Sequence, residues 1–203
     1  MKLQGRLQSG RGGSSKRALS RRLRSLTGIV ILLTSCHDVL GQARKSTEYD
    51  LKAAYVYNFG KFVRWPASVV SAAGEFPLCV LGRNPFGPSL DNTVKGESIE
   101  GKSLSVRYMS SVSEANGCRI LFVSESEEHR IESILAEVGK RPMLTVSDIP
   151  DFVDRGGDIE FVNVGEKIRF KVNRAAAEKS GLTLSSDLLK VAISVKNNGH
   201  SGE

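Results

Sequence analysis

Histidine is scarce in this chain, and its scarcity removes most hydrolytic and metal chemistry at the outset. Only three occur among 203 residues. His37 falls in a segment that reads as a processed leader and His200 in a polar tail, so only His129 belongs to the fold. It stands in "SEEHR", on the polar side of an acidic helix start, where a solvated side chain is the simplest reading. One histidine without a second beside it does not build a zinc centre. A Ser-His-Asp triad would need that same residue, and no G-x-S-x-G elbow is present. The glycine-bearing strand-end loop "LGRNPFG" carries neither of the phosphate-cradling patterns GxGxxG and GxxxxGK[ST]. Acids are plentiful but dispersed, which gives no support to a paired-carboxylate hydrolase. The expectation is a protein that is not an enzyme, with no catalytic residue, no metal and no cofactor.

Long apolar runs are also lacking. The longest near the start, "SLTGIVILLTS", holds about ten apolar residues where a bilayer span needs roughly 20. A basic, Gly/Ser-rich segment precedes it, and that order is the pattern of a secretory signal. Two processing outcomes fit. "GQA" (Gly41, Gln42, Ala43) suits a signal peptidase and gives a soluble chain from Arg44, whereas "LTSC" resembles a lipobox in which Cys36 would be lipidated. Either way residues 1–43 are an address, and the folded part lies outside the cytoplasm.

Net positive charge on the folded part is absent too. The formal charge is +7, from 29 Lys and Arg against 22 Asp and Glu. Eight of those bases and one acid, Asp38, fall in residues 1–43, so 21 of each sign remain beyond them. A nucleic-acid binder wants a basic face on the domain itself, and none is implied here.

Cysteine is nearly absent. With Cys36 removed or lipidated, Cys79 and Cys118 are left in a compartment where disulfides persist. They can pair, closing a loop of about 40 residues for roughly 4 kcal/mol of chain entropy, or remain as two buried thiols.

The rest of the chain reads as one α/β domain over 44–196, with a polar tail at 197–203. "EYDLKAAYVYNFGKFVRWP" predicts a helix stopped by Pro66. At about 100° per residue, Leu51, Ala54, Tyr55, Asn58, Phe62 and Trp65 form one stripe, which Val56, Phe59 and Val63 widen past half the circumference. So broad an arc means heavy burial or a second contact surface. Tyr55, Phe59, Phe62 and Trp65 are the candidates for a partner or dimer face. Strands follow at "FPLCVLG", "KSLSVRYM", "CRILFVS" and "PMLTVSD", with a turn and a short helix in "NPFGPSLDNTV", a helix at "SEEHRIESILAEVG" and a short helix through Pro150–Asp154. Strands alternating with helices imply a mostly parallel sheet with flanking helices. Arg83, Asn84 and Phe86 lie in a strand-end loop, where an α/β sheet can bind a small ligand. "DIEFVNVGEKIRFKVN" predicts a C-terminal β-hairpin around Gly165-Glu166, followed by helices at "RAAAEKSG" and "SSDLLKVAISV".

One stretch invites misreading. "RGGDIEF", Arg155 to Phe161, would spell GGDEF, the signature of diguanylate cyclases, if Ile159 were deleted. In a strand one inserted residue sends everything beyond it to the opposite face. The string therefore reads as a glycine turn entering the hairpin, with Ile159 and Phe161 on one face and Asp158, Glu160 and Val162 on the other.

"LKAAYVYNFGKFVRWP", "RGGDIEF…IRFKVN" and "AAAEKSGLTLSSDLLKVA", in that order, resemble the YfiR family of small exported bacterial proteins, over about 49–195. The resemblance implies an α/β fold, a homodimer, and a regulator that binds the periplasmic domain of an inner-membrane diguanylate cyclase and represses cyclic di-GMP synthesis, hence biofilm control. It also implies a stabilising disulfide between Cys79 and Cys118. The family pattern carries a second cysteine pair that this chain lacks, which weakens any redox switch built on it. A different reading makes the protein a periplasmic small-molecule sensor acting on another membrane partner through the Arg83–Gly87 loop.

Overall fold

The computed structural model describes residues 47–70 and 74–197. The leader with Cys36 and the last six residues lie outside them. Helix α1 (47–61) leads into a two-residue strand β1 (Val63–Arg64) and a short α2 (Ala67–Val70). Then come β2 (Phe76–Leu81), α3 (Ser89–Val94), β3 (Ser98–Ile99) and β4 (Lys102–Met109). The middle of the chain gives β5 (Ile120–Val123), α4 (Ile131–Val138), β6 (Leu144–Ser147), β7 (Ile159–Val164) and β8 (Lys167–Asn173). It closes with α5 (Arg174–Lys179), β9 (Thr183–Leu184), α6 (Ser186–Val191) and β10 (Ser194–Lys196).

Among the described residues eight strands form one sheet in the order β10-β8-β7-β6-β5-β2-β4-β3. Its centre, β4-β2-β5-β6-β7, is parallel throughout. The order jumps where β2 lies between β4 and β5, so the chain winds first one way and then the other. β2 and β5 are buried on both faces, every residue of them. Such strands need cover on both sides, and the alternation of their side chains supplies two cores. Leu78, Val80, Ile120 and Phe122 face α1 and α3, while Cys79, Leu81, Leu121 and Val123 face α4. The C-terminal hairpin is present as read: β7 and β8 run antiparallel with Phe161 opposite Phe170.

Two expected helices differ. Through Pro150–Asp154 the chain makes turns, because Asp151 takes a positive φ of 59° that no right-handed helix contains. The final helix stops at Val191. There Ala192 turns extended and the Ile193 N–H reaches the Phe170 carbonyl at 3.0 Å, which draws 194–196 onto β8 as a parallel edge strand.

The turn before β7 tolerates only glycine at one position. A β-carbon on Gly157 would overlap the buried Phe152 ring, and its own N–H already bonds the Phe152 carbonyl at 2.9 Å. Overpacking of this kind costs about 1–3 kcal/mol. Gly157→Ala is expected to lose that much in urea denaturation, and a variant as stable as the wild type would show that Phe152 can move aside.

Candidate functional site

Helix α1 is apolar over more than half its surface, and a buried ion cluster settles which half turns inward. Lys52 is 3% exposed. Its ammonium sits 2.6 Å from Glu48 and 2.7 Å from Asp148, just past the end of β6, and the Tyr49 hydroxyl donates to the same Asp148 oxygen at 2.7 Å. Burial, then that hydrogen bond, raise the Tyr49 phenol well above its ordinary range. A charge buried this way tolerates no rotation that would separate it from its partners, since an unpaired one costs about 3–5 kcal/mol. With Lys52 fixed, Val56, Phe59 and Val63 follow it into the core. Phe59 lies 5.0 Å from the Phe170 ring and 5.6 Å from Phe161.

The opposite half therefore looks outward. Leu51 is 52% and Phe62 41% exposed, Asn58 is exposed, and Ala54 and Tyr55 are half-buried between them. Of the four aromatic candidates for a contact face, Phe62 stands in solvent and Tyr55 lies at the boundary, touching Phe161 and Phe170 with its ring. Phe59 and Trp65 belong to the core, at 2% and 7% exposure, Trp65 edge-on to Phe76. What remains is a narrower apolar stripe, Leu51–Ala54–Tyr55–Asn58–Phe62, on a rigidly held helix.

The strand-end loop after β2 lies at the point where the sheet order jumps, between β2 and β5, the usual ligand crevice of such folds. Here the chain fills that crevice itself. A β-carbon on Gly82 would come 2.5 Å from both Ser126 Oγ and Glu127 Oε1, and the Glu127 carboxylate is buried and paired with Arg130. Phe86 packs between Tyr49 and Phe122. Asn84 spends its side chain on the turn, accepting from the Phe86 N–H at 2.9 Å and donating to the Gly87 carbonyl at 3.0 Å. Of the three loop candidates only Arg83 and Asn84 are exposed.

Cys79 and Cys118 are joined, with 5.9 Å between their α-carbons, and both are buried against the α4 core. The bond ties β2 to the residue pair that leads into β5, at the middle of the sheet.

"RGGD" does structural work that its resemblance to a cyclase signature hides. After the glycines, Asp158 turns inward, 4% exposed. Its Oδ2 accepts from the Thr145 N–H and the Thr145 hydroxyl, both at 2.8 Å, and its own N–H donates to that hydroxyl oxygen at 3.0 Å. Burial outweighs those bonds and pushes the carboxyl up from 3.8 to about 7. A folded value above the unfolded one favours the protonated, folded form. That contribution is full below about pH 4 and is lost as pH rises through about 7, roughly 4 kcal/mol in all. Asp158→Asn keeps an acceptor for Thr145 and cannot ionise. Between pH 4 and pH 8 its stability should rise relative to the wild type by about that amount in urea melts, and parallel profiles would contradict the assignment.

Among the described residues no three His, Cys, Asp or Glu side chains are grouped to hold a metal, and His129 is exposed. Nor is any described helix long and apolar enough to cross a membrane.

The sequence profile described as YfiR/HmsC-like matches residues 49–193. The chain belongs to the YfiR/HmsC-like family. This is a family of periplasmic, non-catalytic regulators of cyclic di-GMP signalling, and the match runs from the first turn of α1 to the residue before β10. No curated protein matches the chain. Among solved structures, a conserved domain protein from Vibrio cholerae O1 biovar eltor str. N16961 is similar at a TM-score of 0.45 and 14% identity. The likeness covers 59% of this chain and 54% of that one. As a YfiR/HmsC-like protein this one has no cysteine beyond Cys118, so a second disulfide cannot form within it.

Proposed function

We propose that the exported domain docks on the periplasmic domain of an inner-membrane diguanylate cyclase and holds that enzyme inactive. The observation that carries this reading is the family match over the whole α/β domain. The leader read in residues 1–43 delivers the domain to the periplasm, soluble or held through Cys36. The outward stripe of α1 is the docking face. It presents Leu51, Tyr55 and Phe62 on a helix whose orientation is fixed from below by Lys52 and Asp148. Aromatic and aliphatic anchors on a rigid element are what a small interface needs. Repression works by population shift: the regulator binds the inactive cyclase more tightly than the active one and draws the equilibrium to it.

The test is direct. Membranes carrying the cyclase make less cyclic di-GMP when the purified domain is added, and Leu51→Asp/Phe62→Glu removes the effect. Synthesis that ignores the domain at saturating concentration sinks the reading. The homodimer implied by the family resemblance is read in the same preparation. Sedimentation of the wild type and the double variant separates a self-association face from a cyclase face.

A further inference from the structure

A cavity of about 560 Å³ opens on the α4 side of the sheet, between α4, α5 and β10, with Asp158 and Thr145 in its lining. It lies well away from the stripe on α1 and owes nothing to the cyclase reading. Its volume falls within the range of about 300–1,000 Å³ typical of small-molecule sites. Leu135 and Met143 give it an apolar wall.

The charges around it are almost all spent. Arg155 is bound to Glu132 at 2.7 Å, and Lys196 to Asp154 at 3.0 Å. Asn173 uses both ends of its amide, on the Val153 carbonyl and the Ala176 N–H. Two groups remain. Asp158 lines the cavity and directs both Thr145 bonds to Oδ2, so those bonds leave Oδ1 to the cavity side. Lys179 lines the same cavity and makes no ion pair among them. An asparagine at 158 would satisfy Thr145 without the desolvation cost of a carboxyl. A buried acid kept at the wall of a cavity, where an amide would serve Thr145, is therefore set for something that enters.

We infer that this cavity binds a small zwitterion, its ammonium on Asp158 and its anionic group on Lys179, over a short aliphatic skeleton against Leu135 and Met143. A plain polyamine would meet the basic side chains of Arg155, Lys179 and Lys196, and a plain anion would leave Asp158 unanswered. Only a molecule carrying both signs answers both groups.

Calorimetric titration of the disulfide-bonded domain with β-alanine, γ-aminobutyrate and ε-aminocaproate tests this, alongside alkylamines and alkyl carboxylates of matched length. At least one zwitterion should bind at least tenfold more tightly than either single-charge analogue. Asp158→Asn and Lys179→Ala should each weaken it about tenfold or more, the size expected for a lost charge-assisted hydrogen bond. Lys179 is exposed, so its variant reports on binding even if Asp158→Asn folds poorly. The inference is overturned if no zwitterion binds at millimolar concentration. It is equally overturned if the single-charge analogues bind as well, or if Lys179→Ala leaves affinity unchanged.

Discussion

Leu51→Asp/Phe62→Glu is expected to release repression while leaving the fold intact. Both side chains stand about half in solvent, so their loss should cost the domain under about 1 kcal/mol. At an interface the same pair would be anchors, and truncating anchors costs about 2–4 kcal/mol in binding. That is one to three decades in Kd. A melting temperature within a few degrees of wild type, together with cyclic di-GMP at the level of a strain lacking the protein, is the expected pair of results. Full repression by the double variant would remove α1 as the docking face. Phe59→Glu is the contrasting substitution: buried between Phe161 and Phe170, it should unfold the domain and so cannot report on docking.

Breaking the disulfide should derepress for a different reason. In the chain-entropy treatment, closing a 39-residue separation stabilises by about 4 kcal/mol, against a total of about 5–15 kcal/mol for a domain. Cys79→Ser also leaves Cys118 and the new hydroxyl buried in the α4 core. The expected outcome is a fall in melting temperature of roughly 10 °C, with repression lost in proportion to the unfolded fraction. At low temperature, where the variant is folded, it should still repress. A variant of unchanged stability that represses fully would show the bond to be dispensable. A folded variant that fails to repress would place the redox state itself in the signal.

The sequence carried the sheet and its order of elements well. Lys102–Met109 is a strand over the span its alternation gives, and the hairpin turns at Gly165-Glu166. Those features are local, set by period and turn chemistry. The facing of α1 was not legible. Its two apolar arcs are equivalent by composition, and the choice between them is made by Asp148, 96 residues from Lys52. A lysine inside an apolar arc was the available signal, because it marks a buried ion pair. Strand β10 is three residues long and pairs in parallel, too short for any period to reveal. Asp158 read as the polar side of a strand. Its inward turn depends on Thr145, thirteen residues earlier, and the cavity it faces is assembled from α4, α5 and β10, which no single stretch encodes.

The most direct test of the central claim is cellular cyclic di-GMP in a strain from which the gene is deleted, measured with and without the gene restored. A several-fold rise that the restored gene reverses, and that the Leu51→Asp/Phe62→Glu gene does not, is the predicted result. An unchanged level in the deletion strain would contradict the repressor account.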